Sequence, residues 1–189
     1  HPKTGDLITR HDSYRKSPEF SGEQIQYLTT CLEAFKQHNR RIKVDFKQGG
    51  RVIQRVLKTL KNYGFSDDEV WFHGDIHKLY PRGFNQLRAG FPGATIQTTI
   101  DSLGRLIISR PRIAKRALNM YVRWGVDRFL ITWQHLYLAK IMTQMEVWGY
   151  AVNVYQIPDL RSFLQAVLYM PAGITSDYNF PEWNRFGRG

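Results

Sequence analysis

The chain holds one cysteine, Cys31, in 189 residues. That count excludes an intramolecular disulfide framework and a multi-thiolate metal site. It suits a reducing setting such as the cytoplasm. No stretch approaches the roughly 18 apolar residues of a membrane-crossing helix. The first residues, HPKTGDLITR, lack the apolar core of a secretory leader. Glycine-rich nucleotide fingerprints are missing too, since neither GxGxxG nor GxxxxGK(S/T) follows any strand candidate. Acidic side chains are scarce: 16 Asp+Glu stand against 27 Lys+Arg, a formal charge of +11.

What is present describes a globular chain. It is 42% hydrophobic and 23% charged, close to the ordinary balance of about 45–50% and about 25%. Its length predicts a single domain over residues 1–189, at roughly 100–200 residues per domain. The positive surplus favours a polyanionic partner such as phosphate, nucleic acid or anionic lipid headgroups, with plain solubility as the alternative.

Short β-rich runs alternate with amphipathic ones. Strands are expected at IKVDF (42–46), VWFHG (70–74), ATIQT (94–98), RFLIT (128–132), YAVNVY (150–155) and GITS (173–176), with a weak LITR (7–10) before them. Helical faces are formed by Ile25, Leu28, Leu32 and Phe35; by Val52, Ile53, Val56, Leu57 and Leu60; by Ile113, Ala114, Ala117, Leu118, Tyr121 and Val122; and by Leu160, Phe163, Leu164, Val167 and Leu168. Strand starts lie 28, 24, 34, 22 and 23 residues apart, the length of a βα unit. Tyr63-Gly64, Trp124-Gly125 and Trp148-Gly149 stand where helices should stop. Strict alternation predicts a mainly parallel sheet. Polar residues gather at the C-terminal ends of several strands, where a (β/α) barrel places its chemistry. Six good strands predict such a barrel with its first one or two strands missing.

Several strand ends carry candidate chemistry. In KVDFK, Lys43, Asp45 and Lys47 share one face; Asp45 suits a divalent metal and Lys47 a phosphoryl oxygen, or the set is a solvated edge or an ion pair. In VWFHGDIH, His73 and Asp75 are expected on one face with Gly74 permitting close approach, as metal ligands, an acid–base pair or a structural hydrogen bond. His11, beside Asp12, suits a general acid or base. Gln97, Thr99 and Asp101, then Asn153 and Tyr155, suit orientation of a polar substrate or are ordinary strand-end residues. Cys31 is expected buried and inert. Residues 103–128 carry Arg105, Arg110, Arg112, Lys115, Arg116, Arg123 and Arg128 against one acid, Asp127, which predicts a basic helix face for phosphates or acidic lipid.

The ordered set HPKTGDLITRHD, RRIKVDFK and GYAVNVYQIPDLRSFLQAV…GITSDYNFPEW resembles the glycerophosphodiester phosphodiesterase family, within the phospholipase-C-like barrel superfamily that includes menorin-like proteins. Lys3-Thr4-Gly5-Asp6 and His11-Asp12 resemble the family's T-x-D-G turn and H-D pair. Asp45-Phe46-Lys47 resembles its E-x-K strand, with Asp for Glu. Val152-Asn153-Val154-Tyr155 and Gly173-Ile174-Thr175-Ser176-Asp177 resemble its last two strands. VWFHGDI followed by FPGATI resembles the menorin-like V-W-x-N-A-D-I…F-P pattern, with His73-Gly74 for Asn-Ala.

The resemblance implies a phosphodiester hydrolase using Ca²⁺ or Mg²⁺. His11 and Lys47 would be catalytic, and Asp45 and Asp75 would ligate the metal. Lys47, joined on the strand-end reading by His73, Asn153 and Tyr155, would bind the substrate or its phosphate. The family's first-strand H-R pair and second-strand E-x-D pair have no counterpart here, so this chain alone is expected to turn over phosphodiesters poorly. Residues upstream of His1, a partner chain or self-association across the open edge are expected to complete the barrel. The alternatives are an inactive barrel that binds anionic lipid or phosphate, and a nucleic-acid-binding domain acting through 103–128.

Overall fold

The computed structural model describes residues 27–176. Strands and helices alternate as α1 (Leu28–Gln37), β1 (Ile42–Phe46), α2 (Arg51–Asn62), β2 (Val70–Gly74), α3 (Ile76–Leu79), α4 (Arg82–Gly90) and β3 (Thr95–Thr99). Then come α5 (Gly104–Ser109), α6 (Pro111–Arg123), β4 (Arg128–Thr132), α7 (Leu138–Val147), β5 (Ala151–Ile157), α8 (Leu160–Val167) and β6 (Gly173–Ser176). The six strands form one parallel sheet in the order β1-β2-β3-β4-β5-β6, with β1 and β6 at its edges among the described residues. This is the incomplete barrel that the sequence predicts. LITR (7–10) and Ile25 lie outside the described residues.

The predicted aromatic-glycine stops end α2, α6 and α7 in one way. Gly64, Gly125 and Gly149 have φ of 69°, 97° and 76°, a conformation that costs glycine no Cβ clash. Each turn closes with paired backbone bonds: Gly64 N to Lys61 O and Phe65 N to Leu60 O, Gly125 N to Val122 O and Val126 N to Tyr121 O, Gly149 N to Glu146 O and Tyr150 N to Met145 O. These satisfy the carbonyls that a helix end would otherwise orphan. After α6 and α7 the following strand then begins two or three residues past the glycine, at Arg128 and Ala151.

One face of the sheet is apolar and packs under the helices. Ile42, Phe46, Val70, Phe72, Ile96, Phe129, Ile131, Val152 and Val154 are at most 4% exposed. They form one core with Ile53, Val56, Leu57 and Leu60 of α2, Phe84 and Leu87 of α4, Leu118 of α6 and Ile141 of α7. Each such side chain contributes about 1.5–3 kcal/mol on burial. Phe72, with no exposed surface, touches Phe46 and Phe91 ring to ring. Its truncation to alanine would cost about 3–5 kcal/mol.

The other face is polar. The register pairs Asp45 with His73, His73 with Gln97, Gln97 with Arg128, Leu130 with Asn153 and Asn153 with Gly173. Side chains on alternate strands meet over the strand between them. Asn153 Nδ2 of β5 donates to Gln97 Oε1 of β3 at 3.0 Å. The Arg128 guanidinium of β4 lies over the Trp71 ring of β2 at 5.1 Å. Strands two apart are separated by roughly 9–10 Å in a sheet, so these contacts require inward curvature, and alternate-strand layering is how a barrel fills its interior.

Three local expectations are corrected. Arg128 does not belong to the basic helix face: it lies inside the sheet's curve and donates to Ala172 O. Cys31 is half-buried rather than buried, because the helix stripe points Leu32 inward instead. β5 runs on to Ile157 through a register shift after Val154, where Gln156 takes a φ of 63°. An irregularity of this kind bends a strand and redirects its end.

Candidate active site

In a parallel sheet every strand ends at the same rim, and Asp45, Lys47, His73, Asp75 and Tyr155 all lie towards that rim. Asn153 lies deeper on the same polar face as Asp45 and His73. Lys47 Nζ donates to Asp45 Oδ2 at 2.8 Å, with the two side chains 41% and 39% exposed. A pair this open to water is worth only about 0–1 kcal/mol of stability. Lys47 retains further N–H donors for an incoming anion.

His73 neighbours Asp45 across the β1–β2 ladder. Its Nδ1 is buried and has no partner among the described residues. Burial pushes the imidazole pKa down. Asp45 opposes this, Lys43 and Lys47 reinforce it, and Asp75 adds a smaller upward pull, with a net lowering below 6.5. The ring is therefore neutral at pH 7 and can donate or accept at that nitrogen.

Asp75 is placed differently from its sequence expectation. β2 ends at Gly74, and Asp75 is the N-cap of α3, its Oδ1 accepting from His77 N at 2.8 Å. An aspartate just before a helical turn competes well for that orphan amide, so Asp75 does not share a strand face with His73. Gly74 is required by packing: a Cβ there would overlap the Leu79 side chain.

Asp101 has a role that the strand-end reading missed. It begins the 3₁₀ turn Asp101–Leu103 after β3. Its Oδ1 accepts from Thr132 N at 2.8 Å, and its Oδ2 accepts from the Tyr155 hydroxyl. Burial, followed by this bond to a carboxylate, pushes the Tyr155 pKa far up, which keeps the phenol a donor. One carboxylate thus ties β3, β4 and β5 together at the rim. The sequence signal was only the spacing of Asp101 behind Thr99, which any solvated acid would share.

Deeper on the polar face lie Gln97 and Asn153, 1% and 2% exposed. Their mutual bond leaves Gln97 Nε2 and Asn153 Oδ1 without partners. With His73 Nδ1 they are three of the four such atoms among the described residues, the fourth being Gln86 Oε1 of α4. His11 lies outside the described residues.

A divalent cation does not fit the described residues by themselves. Among them no group of three or more His, Cys, Asp or Glu converges; Asp75 has spent an oxygen on its cap, and Asp45 is bridged by Lys47. On the outer surface Arg105, Arg110, Arg112, Lys115, Arg116 and Arg123 are exposed along α5 and α6. Among the described residues no helix is long and apolar enough to cross a membrane.

No family model matches the chain, and no curated protein matches it. Solved structures do. A glycerophosphodiester phosphodiesterase from Parabacteroides distasonis superposes with a TM-score of 0.63 at 14% identity, over 95% of this chain and 76% of that one. An Oleispira antarctica phosphodiesterase, solved with its product sn-glycerol-3-phosphate, gives 0.61 at 16% identity, over 87% and 62%. The Thermotoga maritima glycerophosphodiester phosphodiesterase gives 0.57 at 15% identity, over 93% and 77%. Other matching structures are spanned over only 54%, 52% and 42% of their length. At these identities the likeness is one of fold: the six βα units are part of the (β/α) barrel seen in solved glycerophosphodiester phosphodiesterases.

Proposed function

We propose that this chain is a phosphodiester hydrolase of the glycerophosphodiester phosphodiesterase type, acting as one domain over residues 1–189. The observation that carries the reading is the exposed Asp45–Lys47 pair at the rim, beside a neutral His73 with a buried, unpartnered nitrogen. The pair adds little to stability and is open to an incoming anion. Lys47 neutralises a phosphoryl oxygen, the form of electrostatic stabilisation such transfers depend on most. His73, Asn153 and Tyr155 contact the phosphate or its alcohol. His11 is the acid–base this reading assigns. Were Ca²⁺ or Mg²⁺ bound, Asp45 and the uncapped oxygen of Asp75 would be the carboxylates offered to it, and the metal would supply positive charge at the phosphoryl group; no step of this reading is routed through it.

The test is calorimetric titration of the 189-residue chain with glycerophosphodiesters, with Mg²⁺ or Ca²⁺ present. Binding that Lys47→Ala weakens about tenfold or more supports the reading. Binding of none of them, or binding indifferent to Lys47, removes it.

A second reading, a barrel docking on anionic lipid, is favoured by the six exposed cations of α5 and α6. It is compatible with the first, because a lipid-derived diester would be met at such a surface.

A further inference from the structure

The outer surface carries apolar side chains where its charge is densest. α6 crosses between β3 and β4, in the middle of the sheet and away from the edge strands β1 and β6. Its inward stripe is Ala114 and Leu118, both fully buried. On the outward side Arg112, Arg116 and Arg123 follow one another at spacings of four and seven. Residues so spaced lie in one row along a helix. Among the described residues no carboxylate pairs with them, and neither α5 nor α6 contains an acid.

Ile113, Met120 and Trp124 form the row beside it, at spacings of seven and four. Ile113 is 50% and Met120 39% exposed. Trp124 stands edge-on to Tyr80, with ring centres 4.8 Å apart. Tyr80 lies between α3 and α4 and is 62% exposed. Tyr121 packs on the other side of Trp124 at 5.5 Å. Solubility would be served by polar residues at 113 and 120. An aliphatic and aromatic row running along a cationic one is instead the pattern of a surface that meets a partner.

We propose that α6 lies flat on an anionic bilayer, its arginine row on the headgroup phosphates and Ile113, Met120, Trp124 and Tyr80 inserted beside them into the acyl region. This rests on the reading of the chain as a barrel that docks on anionic lipid, and it adds a hydrocarbon contact to that electrostatic one. Charge complementarity selects an anionic partner, and the apolar row selects a bilayer among anionic partners. A nucleic acid offers phosphates to the arginines and nothing to Ile113 or Met120. A bilayer offers both within one interface. An amphipathic helix sinks about 5–10 Å into the boundary between headgroups and acyl chains, and Trp and Tyr rings favour that level. With 13 residues rising about 1.5 Å each, α6 presents a contact line about 20 Å long.

The experiment follows flotation of the 189-residue chain with vesicles of equal parts phosphatidylcholine and phosphatidylglycerol, beside its retention on heparin, which reads the charge alone. Ile113→Gln combined with Met120→Gln keeps every charge and alters only exposed positions. The pair should weaken vesicle binding about tenfold or more and leave heparin retention unchanged. Unchanged vesicle binding overturns insertion and leaves electrostatic docking standing. A parallel loss on vesicles and on heparin also overturns insertion. If the unaltered chain does not float with the vesicles, insertion and the lipid-docking reading fall together. If the glutamine variant does not fold, the unaltered chain injected beneath a monolayer of the same lipids decides. Insertion should raise the lateral pressure, and adsorption that leaves it unchanged overturns the proposal.

Discussion

The Tyr155 hydroxyl donates to Asp101, joining the end of β5 to the turn after β3 across β4. The other oxygen of Asp101 is bound by Thr132 N, so the phenol completes a clasp that the backbone begins. Tyr155→Phe should cost about 1.5–3 kcal/mol, the worth of a hydrogen bond to a charged group. Urea unfolding measures it, and an unchanged midpoint would show the clasp to be redundant.

Lys47→Ala and Asp45→Asn should behave in the opposite way. The pair is about two-fifths exposed, so either change should lower stability by less than about 1 kcal/mol. Phosphate-ester affinity should nonetheless fall about tenfold or more for Lys47→Ala. Thermal unfolding and titration of the same samples separate the two effects.

His73 gives a pH dependence whose sign can be worked out. Its pKa is lower in the folded chain than the free value of 6.5, chiefly through burial. The unfolded chain therefore binds the proton more readily, and stability rises with pH between the two values. The full contribution is present above about pH 6.5 and is lost as pH falls through the folded value. Unfolding measured from pH 7.5 to pH 5 should show a fall that His73→Asn makes shallower. Parallel curves would mean that His73 titrates as it does in the unfolded chain.

The basic face of α5 and α6 predicts salt-dependent association with acidic vesicles. Arg112, Lys115 and Arg116 are exposed on it, and their joint replacement by Glu should abolish the association. Vesicle flotation across a salt series is the readout. Binding that persists after the charge reversal would assign the surplus to solubility.

The strands were legible because each is a short β-branched or aromatic run closed by a helix stop with a mechanical cause, as at Trp124-Gly125. The helices were legible where the apolar stripe is wide, as in α2. Side-chain duties were less so. Asp75 as a helix cap and Asp101 as an inter-strand clasp leave the same trace in sequence as a metal ligand does, namely an acid just past a strand. Arg128 reads as one more cation in a basic run until the register turns it inward over Trp71. Gln97 and Asn153 are 56 positions apart, and only the curvature of the sheet brings their amides together.

In the proposed function a phosphodiester is held at the rim by Lys47 and its neighbours. Backbone amide mapping by ¹⁵N NMR, with a glycerophosphodiester added to the 189-residue chain, tests it most directly. Shifts should centre on Asp45, Phe46, Lys47 and His73, and should be lost at Asp45, Phe46 and His73 in Lys47→Ala. Shifts confined to Arg112–Arg123 on the outer helix, with the rim unmoved, would contradict it.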